Sequence, residues 1–382
     1  MANLELVDTD RGLEAVITTL RSEPAYGLDT EFVAERSYRP KLCLIQIAWS
    51  GGLALIDPLA CDVSGLSEVL LGPGTMITHA GSGDLPIIER ACGARPTCLF
   101  DTQLSAGFIG MSQPSLASLV WALLRIRLDK GDQLSDWLRR PLPESVLDYA
   151  AGDVAHLFTL RDELIRQLEA NGRTEWAATE CEILRASSSR YSDPDTTWWK
   201  IKGSRSLKGE QAAIAQSLSS WREHRAETED LPPRFVMSDL ALAALVQRPP
   251  NTAADVLRVR GAGNLSKSSV AQILSAIESA RTMSPSDLKL PPKHSADPSL
   301  DAASGLLTGW TSQVAENERI DPRLLATRDD VKALVNERPS RLDNGWRAKM
   351  VGDDLRALLN GESVLRFIDG GSKLSLESSP RD

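Results

Sequence analysis

The chain has 382 residues, 42% hydrophobic and 25% charged, which is long enough for two or three domains and too ordinary for a fibrous or disordered protein. No apolar run approaches a membrane span, and five cysteines with no CxxC pair beside only four histidines disfavour a disulfide framework or a histidine-rich zinc site. A reduced, cytoplasmic, monomeric protein without membrane contact is expected, and its net charge of −9 excludes a chain that grips nucleic acid by bulk electrostatics alone.

Residues 1–186 read as α/β. Short apolar runs at 25–32, 42–49, 53–57 and 75–79 have strand character. Helical patterns follow near 64–71, 84–92, 102–109 and 115–125, with a long one over 144–170. The first three strands are closely spaced, as adjacent antiparallel strands are, and the rest alternates with helices, so a mixed sheet flanked by helices is expected. Residues 187–208 read as a Ser-rich linker. Its part 198–208 carries Trp198, Trp199, Lys200, Lys202, Arg205 and Lys208 and no acid, a mixture suited to bases and phosphates or to tryptophans packed between domains. Two helical segments, 209–286 and 300–369, flank a second linker at 287–299, and residues 370–382 read as a disordered tail. Both segments place a tryptophan (Trp221, Trp310) in a first helix, then a proline-containing loop, then an Asp-led apolar helix from Asp239 or Asp329. A duplicated small module accounts for this.

Four acids lie in settings of apolar or small residues, where an unpaired carboxylate is costly. In a strand over 25–32, Asp29 and Glu31 share a face about 6–7 Å apart, two strand rises, and repel unless a cation lies between them. Asp84 opens a helix after Gly81 and Gly83, which favour a tight turn. Asp153 falls in the apolar stripe of Val146, Ala150, Leu157, Leu160 and Leu164, and Tyr149 lies one turn before it on the same side. Together the four could hold two divalent ions against a phosphodiester. Asp101 reads as a helix cap. His79 and His156 read first as packing or hydrogen-bonding residues.

Asp29-Thr30-Glu31, the stretch from His79 to Asp84, and the stretch from Tyr149 to Asp153 resemble the three exonuclease motifs of the DEDD superfamily, in its tyrosine-bearing branch. Residues 101–103, 136–142 and 198–203 bring the chain closest to the bacterial ribonuclease D family, and the two helical segments resemble HRDC domains. The resemblance implies a ribonuclease H-like α/β exonuclease domain followed by two all-α HRDC-like domains. It implies that Asp29, Glu31, Asp84 and Asp153 hold two Mg²⁺ or Mn²⁺ ions and that Tyr149 orients the attacking water. The implied activity releases 5′-mononucleotides from RNA 3′-hydroxyl ends, with tRNA precursors and other structured small RNAs as partners. Thr30, Phe32, His79, Trp198, Lys200 and Lys202 are the expected substrate contacts. The rivals are a DNA 3′–5′ exonuclease of the same superfamily and a non-catalytic RNA-binding adaptor.

Overall fold

The computed structural model describes residues 3–128, 135–187, 193–291 and 300–379. They form two compact units. One comprises residues 1–31, 43–187 and 295–382, the other residues 32–42 and 188–294.

The first unit is built on a six-stranded sheet. In chain order its elements are β1 (Asn3–Val7), α1 (Asp10–Leu20), β2 (Ala25–Val33), β3 (Lys41–Trp49), β4 (Gly52–Ile56), α2 (Ser67–Leu70), β5 (Thr75–Thr78), α3 (Asp84–Cys92) and β6 (Cys98–Asp101). Helices α4 (Thr102–Gly107), α5 (Leu116–Leu124), α6 (Glu144–Ala155), α7 (Leu157–Ala170) and α8 (Thr174–Ala186) follow. The strand order is β1-β4-β3-β2-β5-β6. β3 runs antiparallel to β4, while β1–β4, β2–β5 and β5–β6 are parallel, so the sheet is mixed as expected. Strands β1 and β6 escape the sequence reading because both are short edge strands held by distant partners. The expected helix over 144–170 is two helices, broken at His156 (φ −110°, ψ 1°) with no proline or glycine to signal it.

Each face of β2 has its own cover. Tyr26 and Leu28 pack with Ile88 and Cys92 of α3. On the other face, a Cβ at Gly27 would lie 3.2 Å from Leu157 Cδ1, so glycine there lets the start of α7 come down onto the sheet. Four cysteines are buried as expected; Cys98, on the edge strand, is exposed.

The chain from Asp301 returns to this unit. Helices α9 to α13, described below, intervene in the sequence. Helices α14 (Asp301–Glu318), α15 (Pro322–Leu325), α16 (Arg328–Val335), α17 (Gly345–Arg347) and α18 (Asp353–Leu359) form a module that shares a core with α4, α7 and α8. Phe108 and Trp176 meet Trp346, which stacks on Trp176 with centroids 5.2 Å apart. Beneath them Arg347 makes a two-pronged ion pair with Glu180 (2.6 and 2.7 Å), and both side chains are buried. Arg173 reaches the Phe108 carbonyl (2.8 Å) and Glu318 (3.1 Å). Within the expected disordered tail, 370–382, lies strand β8 (Lys373–Ser378), which pairs as a hairpin with β7 (Ser363–Ile368) at the end of the segment expected to be all helical. Leu374 and Leu376 pair with Phe367 and Leu365, a short apolar alternation hidden among serines and charges; residues 380–382 lie outside the described residues.

The second unit contains α9 (Gly209–Thr228), α10 (Pro233–Val236), α11 (Asp239–Gln247), α12 (Ala253–Arg258) and α13 (Lys267–Arg281). Its core includes Trp198 and Ile201 beside residues of α9, α11 and α13. The expected linker 187–208 is therefore, from 193 onward, a wall of this module, and residues 188–192 lie outside the described residues, as do 292–299 of the second linker. The loop from Phe32 to Leu42 belongs to the same unit. Tyr38 N–H donates to Asp230 (3.1 Å), the Tyr38 hydroxyl to Glu223 (3.3 Å), and Arg39 pairs with Glu227.

Candidate active site

β5 stops at Thr78, and its last register pair with β2 is Ile77 opposite Gly27. Beyond that point β2 has no parallel neighbour on that side, and there it carries Asp29 and Glu31. Carboxylate oxygens of Asp29, Glu31 and Asp153 lie within 4.8 Å of one another. Asp153 comes from α6 on one face of the sheet. Asp84, the first residue of α3, comes from the other face, and its carboxylate accepts the Thr30 hydroxyl. Strand alternation alone puts Thr30 opposite Asp29; it is the polar residue of β2 that joins Asp84 to the site.

The loop that delivers Asp84 is held from below. Asp101 caps α4 by accepting Leu104 N–H (3.0 Å), as the sequence suggests. It also accepts the N–H groups of Ala80 (3.3 Å) and Gly81 (2.8 Å). Ala80 sits at φ 59°, a left-handed conformation that costs a non-glycine residue about 1–3 kcal/mol. A Cβ on Gly81 would come within 2.5 Å of the Thr78 methyl, so this glycine is required, whereas Gly83 has open space around it. Sequence reasoning missed this second task of Asp101; an acid closing a short apolar strand was its only signal.

Burial and mutual repulsion dominate the electrostatics. Burial, then the charges of Asp84, Asp153 and Glu31, push the Asp29 carboxyl far above the carboxylate range. Burial, then Asp153 and Asp84, push Glu31 up to about 8. Asp84 rises to about 6 through burial, opposed by the Thr30 hydroxyl. Asp153 rises to about 6 through burial, opposed by the Tyr149 hydroxyl, which donates to it. Tyr149 itself moves well above its usual value, through burial and then the neighbouring acids. Such a set is unfavourable alone and fits a divalent cation, whose charge offsets the repulsion; all-oxygen donors suit hard ions.

Tyr149 is backed by Trp137, with ring centroids 6.3 Å apart. Trp137 is fixed by its neighbour Arg140, which donates to the Trp137 carbonyl (2.9 Å), the Cys43 carbonyl (2.7 Å) and Asp57 (2.7 Å). This support also went unread, although residues 136–142 stood out in the sequence.

The expected substrate contacts fare unevenly. Phe32 is exposed. Thr30 is buried against Asp84. Both ring nitrogens of His79 are engaged, by Thr102 Oγ1 (2.9 Å) and the Pro114 carbonyl (3.1 Å), which makes His79 a strut. Trp198 is fully buried in the core of the second unit, so no base can stack on it, while Lys200 and Lys202 are exposed there.

Comparison with known proteins agrees with this arrangement. The family model for 3′-5′ exonuclease matches residues 4–169, and that for the HRDC domain matches residues 211–277. Ribonuclease D of Zymomonas mobilis is 33% identical over 97% of this chain and 98% of its own. The chain belongs to the ribonuclease D family. Ribonuclease D of Escherichia coli is 32% identical over 94% of this chain and 98% of its own. The crystal structure of the E. coli enzyme, an exoribonuclease involved in structured RNA processing, superposes with a TM-score of 0.83, covering 94% of this chain and 99% of that one. The catalytic core of RRP6 from Trypanosoma brucei is 25% identical with a TM-score of 0.59 over 73% of this chain and 80% of its own. Ribonuclease D membership makes the chain a 3′–5′ exoribonuclease with an HRDC domain after its exonuclease domain. No helix among the described residues is long and apolar enough to cross a membrane.

Proposed function

We propose that the chain trims structured RNAs, tRNA precursors with 3′ trailers among them, by removing 5′-mononucleotides from a single-stranded 3′-hydroxyl end with the aid of two divalent ions, Mg²⁺ or Mn²⁺. The observation that carries this reading is the meeting of Asp29, Glu31 and Asp153 within 4.8 Å beside Asp84 and Tyr149. Asp29, Glu31, Asp84 and Asp153 would hold the ions, which when bound supply an activated water and offset charge on the phosphodiester oxygens.

The chain's own residues supply the rest. Tyr149 stays protonated at working pH, because its hydroxyl is held well above its usual range. It is therefore an orienting group and not a base. Its proton is directed to Asp153, which leaves the phenol oxygen as an acceptor for the O–H of the attacking water. Trp137 at its back fixes the ring. Thr30 holds Asp84 at the start of α3, and Asp101 holds the loop that leads to it.

The second helical module, residues 300–369, is read as a further HRDC-like domain. Like the first it begins with a long helix, α14, and continues through a short proline-led helix, α15, to a further helix, α16. Lys200 and Lys202 remain candidates for phosphate contact.

The test is a time course with Mg²⁺ on two 5′-labelled hairpins with matched 3′ tails, one RNA and one DNA. A ladder shortening from the 3′ end of RNA, absent with Asp153→Asn, is expected. Trimming of DNA alone would overturn the reading, as would full activity in the variant.

A further inference from the structure

Helix α5 carries one large apolar side chain that its own core does not use. Leu119 and Val120 are fully buried with Ala106, Leu160 and Leu164, and Leu116, Leu123 and Leu124 pack against them. Trp121 faces away and is 43% exposed. Arg125 ends the helix at φ 61° with its guanidinium carbon 5.9 Å from the Trp121 ring centroid, and that of Arg127 lies 5.0 Å away.

The sequence leading up to this cluster is one-sided in charge, and Asp129 and Asp132 follow it with Lys130 between them. Residues 102–128 contain these two arginines and no acid, in a chain whose net charge is −9. Trp121 keeps this exposure with both guanidiniums in place. An exposed tryptophan flanked by cations suits a single strand of nucleic acid, which offers bases for the ring and phosphates for the guanidiniums.

Its place in the fold is also informative. The carbonyl of Pro114, just before the cap of α5, is bonded by His79, the residue that braces the loop bearing Asp84. Trp121 lies seven residues further on, about 10 Å along the helix. The His79 bond thus ties the start of α5 to the segment that leads to Asp84.

We propose that Trp121, Arg125 and Arg127 form a platform for single-stranded RNA, holding the substrate upstream of its 3′ end. The proposal rests on the exoribonuclease reading for the identity of the strand. Trp121→Ala and the double variant Arg125→Gln/Arg127→Gln test it, since all three positions are at the surface and thermal unfolding will verify the fold.

Two measurements separate the platform from the acids. Binding of an unstructured RNA oligonucleotide in EDTA reads the platform without hydrolysis. Turnover of an RNA dinucleotide with Mg²⁺, too short to reach the platform, reads the acids. Both variants should weaken oligonucleotide binding about tenfold. The arginine variant should also flatten the salt dependence, and dinucleotide turnover should not change. Wild-type oligonucleotide affinity in both variants overturns the platform, as does a matched loss of dinucleotide turnover. Failure of the wild-type chain to hydrolyse RNA would instead strike the exoribonuclease reading, with the binding arm still reporting on the platform.

Discussion

Stripping the divalent ion and raising the pH should weaken the fold, and Asp153 sets the size of the effect. Its carboxyl is pushed up from 3.8 to about 6 by burial, against the pull of the Tyr149 hydroxyl. In the unfolded chain the same group ionises near its ordinary value of about 3.9. Between these values the folded chain keeps a proton that the unfolded chain has released, so this contribution to stability is whole below about pH 4 and is lost as pH rises through 6. A shift of roughly two units corresponds to about 3 kcal/mol from this group. Glu31, raised to about 8, carries the loss further up the scale. His79 and His156, lowered mainly by burial, push the other way over part of the window. The informative comparison is therefore wild type against Asp153→Asn. Thermal unfolding in EDTA from about pH 5 to 8 should show a falling midpoint in the wild type; roughly half of the Asp153 loss, about 1.4 kcal/mol, falls in this window, so the variant should lose about 3–5 °C of that fall. Added Mg²⁺ should raise the wild-type midpoint more at pH 8 than at pH 5, with release of protons. Identical pH slopes for wild type and variant in EDTA would refute the electrostatic account of the site.

Three further changes probe the parts around the acids. Tyr149→Phe should cut turnover by about 10²-fold while cation affinity, read by the midpoint shift with Mg²⁺, stays near wild type; full turnover would remove Tyr149 from the mechanism. Asp101→Ala strips acceptors from three backbone N–H groups and should cost about 3 kcal/mol and most of the activity; an unchanged unfolding midpoint would show that the loop before Asp84 holds itself. Glu180→Ala leaves the Arg347 guanidinium buried without its ion partner, a loss of about 3–5 kcal/mol by denaturation, whereas Glu180→Leu with Arg347→Met should come within about 1 kcal/mol of wild type.

The acids were legible because each broke a pattern: Asp29 and Glu31 doubled up on one strand face, and Asp153 stood in an apolar stripe. What brought them together was not legible. That Asp84 arrives from the opposite face depends on β5 ending at Thr78, a matter of register between strands far apart in sequence. Trp198 misled because a tryptophan beside lysines reads alike whether it waits for a base or fills a core under solvated amines. The break at His156 leaves no local mark, since the descent of Leu157 onto Gly27 is a tertiary contact. The roles of Asp101 and Arg140 likewise lie in bonds to backbone groups tens of residues away.

The core shared by Phe108, Trp176 and Trp346 bears on how the protein is made. A ribosome releases residues in order at about 5–20 per second. The surface of α4 and α8, with Glu180 in it, emerges well before the residues that cover it, because the module of α9 to α13 is synthesised in between. Until Trp346 and Arg347 leave the exit tunnel, the nascent catalytic domain displays an aromatic patch and a carboxylate lacking its partner. A message cut short after the first helical module would yield a chain with all four clustered acids and an unfinished fold, a natural client for chaperones and proteases.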